Sequence, residues 1–175
     1  LGSTASAITL NGQNGNDSFS IDPLAGIAVT ANGGDPTASD SVVVNISAAT
    51  TVTGLTIDGA TVQMSGAADV TLATIEHLTI AGDAGNDALT VNTPAGVIST
   101  SLTPGSTIDS GDVQVASLIP LSFENLGATG SLVIDDADAV TDDTLIYQGT
   151  GSDDDFDLSA TGIVSLNSQI TVDVA

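Results

Sequence analysis

The chain carries 22 Asp and Glu residues and no Lys or Arg at all. A protein without basic side chains has no salt bridges to draw on, so it must hold its carboxylates in water or neutralise them with metal. A formal charge of −22 over 175 residues would suit a disordered chain, yet 41% of the residues are hydrophobic. Val, Ile, Leu and Thr fill short, regularly spaced runs, which is the mark of a folded β protein. The same charge excludes nucleic acid and anionic membranes as electrostatic partners, because no cation exists to meet a phosphate. Cations are the natural partners instead.

The β-prone runs recur about every ten residues. They cover residues 8–10, 18–22, 27–31, 41–46, 51–57, 61–64, 69–75, 77–80, 88–92, 97–102, 113–118, 121–123, 131–134, 144–147, 156–158, 163–166 and 170–174. Gly, Asn, Asp and Ser punctuate them, and no apolar stripe of helical period and length appears. A single all-β module over residues 1–175 is expected. No cysteine is present, and no apolar run approaches the roughly 20 residues of a membrane span. A signal peptide is not expected, since a basic n-region is impossible. Starting mid-pattern at Leu1-Gly2-Ser3 suits a processed product or an excised module.

Three copies of one turn organise the chain. They read Gly12-Gln13-Asn14-Gly15-Asn16-Asp17-Ser18-Phe19, then Gly82-Asp83-Ala84-Gly85-Asn86-Asp87-Ala88-Leu89, then Gly149-Thr150-Gly151-Ser152-Asp153-Asp154-Asp155-Phe156. Glycines permit a tight turn, Asn and Asp supply oxygens, and the apolar residue two places on starts an inward-facing strand. The segments downstream of the three turns also match one another: Asp22-Pro23-Leu24-Ala25-Gly26-Ile27, Asn92-Thr93-Pro94-Ala95-Gly96-Val97 and Ser159-Ala160-Thr161-Gly162-Ile163. Internal repeats therefore start near residues 12, 82 and 149. A finer period of roughly 23 residues, with Asp17, Asp40, Asp87, Asp112 and Asp154 each opening an alternating strand, suits a coil of two or three short strands. A parallel β-solenoid is the favoured architecture, with an antiparallel β-sandwich as the alternative.

The Gly-x-x-Gly-Asn-Asp-x-apolar wording resembles the calcium-binding nonapeptide of repeats-in-toxin proteins. It is also similar to the longer glycine- and aspartate-rich repeats of large bacterial surface and matrix proteins, residues 72–91 above all. The resemblance implies secretion, β-solenoid-like folding, calcium, and structural or adhesive work. In the toxin pattern the nonapeptides run in tandem, whereas each copy here stands alone.

Ca²⁺ is the expected cofactor. Its candidate ligands are Asn16 and Asp17, Asp40, Asn86 and Asp87, and the acidic stretch with Asp135, Asp136, Asp138, Asp142, Asp143, Asp153, Asp154 and Asp155. Two like charges about 4 Å apart repel by about 4 kcal/mol at an effective dielectric near 20, and a shared cation reverses that sign. The competing readings are a solvated acidic face and turns whose side chains bond their own backbone. No run has the twelve-residue EF-hand spacing.

Catalysis is not expected. His77 reads as a structural histidine, no nucleophile-elbow glycines accompany a serine, and lyase chemistry lacks its usual Arg or Lys. Paired carboxylates could hydrolyse a glycosidic bond, but aromatics are 2% of the chain and the three Phe occupy positions expected to face inward. The expected role is an extracellular structural module of a bacterial surface filament, surface layer or matrix. It would self-associate through edges such as residues 3–10 and 169–174, with no nucleic-acid partner and no membrane span. An adhesin module binding a surface glycan or protein is the alternative, and a calcium-driven secretion cassette a third reading.

Overall fold

A computed structural model describes residues 5–35, 39–46, 55–96, 98–116, 118–136 and 143–174. All of its regular structure is β. Among the described residues there is no helix, and so none long and apolar enough to cross a membrane.

The chain passes back and forth between two sheets. Strand β1 (Ala7–Asn11) lies in the first, β2 (Ser18–Ile21) in the second, β3 (Ala28–Asn32) beside β1, and β4 (Ser41–Asn45) beside β2. Next β5 (Leu55–Asp58), β6 (Thr61–Met64) and β7 (Val70–Ala73) form an antiparallel meander in the first sheet. Single strands come after it, β8 (His77–Ala81) in the second sheet and β9 (Ala88–Thr93) in the first. A second meander, β10 (Ser99–Pro104), β11 (Gly111–Val115) and β12 (Leu121–Glu124), belongs to the second sheet. Then come β13 (Ser131–Asp136) in the first sheet and β14 (Thr144–Tyr147) in the second. A third meander, β15 (Phe156–Leu158), β16 (Ile163–Leu166) and β17 (Thr171–Val174), completes the first sheet. Each meander runs ahead three strand positions and fills backwards, so its last strand meets the one laid down before it. The orders are β1-β3-β7-β6-β5-β9-β13-β17-β16-β15 and β14-β10-β11-β12-β8-β4-β2.

Nine strand pairs are parallel and six antiparallel. Both sheets are therefore mixed, and the antiparallel sandwich is not what forms. Parallel partners are in register, which stacks like on like. Phe19, Val42, Leu78 and Leu121 succeed one another across the second sheet, as do Ile21, Val44, Ile80 and Phe123. In the first sheet Leu89, Leu132 and Val172 form one inward row, and Ile57, Val91 and Ile134 the next. These residues belong to one core shared by both sheets. Each fully buried aliphatic contributes about 1.5–3 kcal/mol, so the repetition is the main driving force. Alternation sends Thr9, Thr30 and Thr71 outward as a β-branched row on the opposite face.

Two expectations need correction. Residues 169–174 do not form an open edge: β17 is paired on both sides, with β13 and β16. The third meander fills backwards, so among the described residues the free edge of the first sheet at this end is β15, and β14 is that of the second. The second concerns Phe156, at a strand position expected to face inward. It is 47% exposed and meets Tyr147 edge-on, with ring centroids 5.7 Å apart. The cause is the unequal growth of the sheets. Among the described residues the second sheet stops at β14, and the outer part of the last meander's inner face, at Phe156 and Leu158, is left exposed. Burial falls across that face from Leu132 and Val172, both fully buried, through half-buried Val164 to Leu158 at 70% exposed.

Candidate functional site

The crossings between sheets line up along two seams. At the first, the chain leaves the first sheet for the second, after β1, β3, β7, β9 and β13. At the second it returns, after β2, β4, β8, β12 and β14. The three turn copies do not occupy equivalent places. Residues 12–17 lie on the first seam, whereas residues 82–87 and 149–154 lie on the second.

On the first seam, carboxylates form a ladder. The Asp17 amide donates to Asp40 Oδ1 at 2.7 Å, and the Asp40 amide donates to Glu76 Oε2 at 2.9 Å. Each acid sits one residue before an in-register parallel strand, β2, β4 or β8, so the Asp40 and Glu76 side chains reach the amide of the preceding turn. Asp40 is buried, and backbone amides from Glu76 and His77 return to its carbonyl at 3.0 and 3.1 Å. Asp17 is half-buried and its Oδ2 has no partner, while Asn16 is exposed beside it. A second ladder runs alongside. Gly34 N–H donates to Thr74 Oγ1 at 2.7 Å, that hydroxyl lies 2.8 Å from Asn32 Oδ1, and Asn32 Nδ2 donates to Asn11 Oδ1 at 3.3 Å. Gly33 is required here, because a Cβ would overlap both the Asp40 carboxylate and the Thr74 carbonyl.

On the second seam the turn aspartates close their own loops. Asp83 N–H donates to Asp87 Oδ2 at 3.3 Å, and Thr150 N–H donates to Asp154 Oδ2 at 2.9 Å. Asp154 Oδ1 also accepts the Thr150 hydroxyl at 2.6 Å and Asn167 Nδ2 at 3.2 Å. Asn86, at φ 70°, accepts the Thr129 amide from the neighbouring crossing at 3.1 Å. Asp87 is buried, and burial pushes its carboxyl above the ordinary 3.8, with the Asp83 charge adding to the rise and the Asp83 amide opposing it. Asp155 donates its amide to Asn167 Oδ1 at 2.9 Å, and Asp153 is exposed.

The acidic stretch is dispersed between the seams. Asp135 points outward on β13, in register with Asn92, and Asp136 is half-buried at the end of the same strand. Asp143 Oδ1 accepts the Ile98 amide at 2.8 Å across the first seam. Asp138 and Asp142 lie outside the described residues. Among the described residues no three His, Asp or Glu side chains gather into a metal-holding group. His77 is exposed at the start of β8.

Glu76 and Thr93 were missed as site residues. Glu76 could have been found, since it precedes its strand by one residue as Asp17 and Asp40 precede theirs. Thr93 gave only a weak signal, the third inward place of β9 after Leu89 and Val91. No protein-family model, curated protein or solved structure matches the chain.

Proposed function

We propose that the chain is an extracellular structural module of a bacterial surface filament, surface layer or matrix. In this reading the two sheets are the faces of a β-solenoid widened by three meanders, and calcium steadies its acidic seams. The observation that carries it is the open interior at the β14–β15 end. There the apolar row that fills the core continues into solvent through Phe156 and Leu158. Monomeric soluble folds seldom leave a continuous core face bare, and unpaired strands template association.

The strand senses support continuation. Counting through the meanders, β14 runs parallel to β2 and β15 runs parallel to β1. Further strands of the same sense can therefore extend either end of both sheets. The role is non-catalytic, resting on stacked backbone and side-chain ladders.

Electron microscopy of the purified chain, with calcium and with chelator, tests the proposal. Ordered assemblies that lengthen in calcium are expected. A protein that stays monomeric at high concentration with millimolar calcium would overturn it.

A further inference from the structure

Where the first seam meets the core, Thr93, Thr100, Asp136 and Asp143 are among the side chains that line one small cavity. Thr93 and Asp136 are in-register neighbours at the ends of β9 and β13, beyond the inward pairs Leu89–Leu132 and Val91–Ile134. Thr100, buried on β10, and Asp143, just before β14, face them from the second sheet. The cavity measures about 50 Å³, and Ile134, Leu145 and Val174 line its apolar side. On that measure a single water needs only roughly 10–15 Å³, so a cation with one or two waters has room.

The hydroxyl of Thr93 makes this more than a pair of acids. Thr93 is only 3% exposed, lines the cavity, and its Oγ1 has no hydrogen-bond partner. A buried hydroxyl left unpaired is a standing cost that native proteins ordinarily avoid. Asp136 continues a row of buried aliphatics, in a chain that has no lysine or arginine to set against it.

We infer that the cavity bounded by Thr93, Thr100, Asp136 and Asp143 is a binding site for a hard divalent cation, Ca²⁺ in the first instance. Two carboxylates supply the charge and two hydroxyl oxygens complete an all-oxygen donor set, which suits Ca²⁺ better than softer metals. The ion clamps β9 and β13 to β10 and β14, tying the two sheets together at the seam. The inference deepens the structural role proposed above, and binding is read on dispersed protein so that failed assembly cannot imitate failed binding.

The test uses the 175-residue chain, stripped with chelator and titrated with CaCl₂ by calorimetry while light scattering confirms dispersal. The wild type should show a saturable site that Asp136→Asn and Asp143→Asn each weaken at least about tenfold, as changes around metal sites commonly do. Asp69→Asn, an exposed position just before β7, should bind as wild type does. Thr93→Val removes the orphan hydroxyl without changing side-chain shape. It should melt no lower than wild type in chelator, yet gain less from calcium. If Thr93→Val and Asp136→Asn both keep wild-type calcium affinity, the assignment is wrong. An equal effect of Thr93→Val on melting with and without calcium would assign the cavity to water and overturn it too. Should Asp136→Asn not fold, the Thr93→Val comparison still decides.

Discussion

Asp40 and Asp87 are both buried carboxylates in a chain with no basic side chain, and they are held differently. Asp40 receives a short amide bond at 2.7 Å, whereas the bond to Asp87 is long at 3.3 Å. Asp40→Ala should cost about 1–3 kcal/mol, the penalty for stranding a half-buried amide, while Asp40→Asn keeps an acceptor and should lose less. Urea unfolding of the two variants checks the ranking. The proton on Asp87 is bound more tightly in the folded state than in the unfolded one, because burial raises its pKa above 3.8. Its contribution to stability is therefore complete below pH 3.8 and is lost as pH rises through the folded value. In chelator at neutral pH, Asp87→Asn should raise the melting temperature, and the gain should vanish in acid. A lower Tm for the variant at neutral pH would refute this. Tyr147 offers a cleaner titration, being the only Tyr in a chain without Trp. Burial raises its phenol above 10.0, so absorbance near 295 nm should titrate later in the folded protein than in urea. Stability carried by the neutral phenol is complete below pH 10.0 and is lost as pH rises through the folded value. The turn chemistry around these residues was legible in the sequence, since Gly, Asn and Asp at those spacings announce tight turns. Whether an aspartate there faces an amide or a metal was not, because both use the same oxygens.

Strands were the most legible element. Runs such as 61–64, 144–147, 156–158 and 163–166 match the observed boundaries, because alternation and turn residues are local signals. Pairing was not legible, because register joins residues far apart in the chain. The 23-residue period is real for one step, from Asp17 to Asp40, and then the β5–β7 meander stretches the next step to the 36 residues between Asp40 and Glu76. A backwards-filling meander leaves no local trace, so β17 looked like a free end. Seam crowding makes a testable demand on glycine. Gly33→Ala should cost about 1–3 kcal/mol, the usual range for overpacking, because the new methyl meets backbone as well as a side chain. Gly151→Ala has open space around it and should stay within about 0.5 kcal/mol of wild type. Equal melting of the two variants would remove the seam from the account of stability.

At the scale of the whole molecule, the exposed apolar edge of the last meander and the acidic seams act in opposite directions. Net charge of −22 suppresses random association, and in the proposed assembly exposed Phe156 and Leu158 would reward one oriented contact. Leu158→Asp should abolish assembly without lowering stability appreciably, since that side chain is already mostly in water. Circular dichroism and sedimentation together check it, and assemblies surviving the substitution would move the contact elsewhere. Calcium at a hundredfold excess over its dissociation constant should add about 2.7 kcal/mol per site to the folded state. Melting curves in calcium and chelator should then differ by several degrees, while sodium at equal ionic strength should not substitute.

The carboxylate ladder of the first seam has an arrow in it. Asp17 gives its amide to Asp40, and Asp40 gives its amide to Glu76, so the donor always stands nearer the chain start and the acceptor nearer its end. Strand sense repeats that arrow, and the two extremities of the molecule are chemically unlike. One offers the flush pair β1 and β2, the other an overhanging tongue. A fibre made by adding such units in one direction would be polarised like a ratchet. Its barbed and blunt tips would take up subunits at different speeds, and two-colour seeds watched under a microscope would grow lopsidedly.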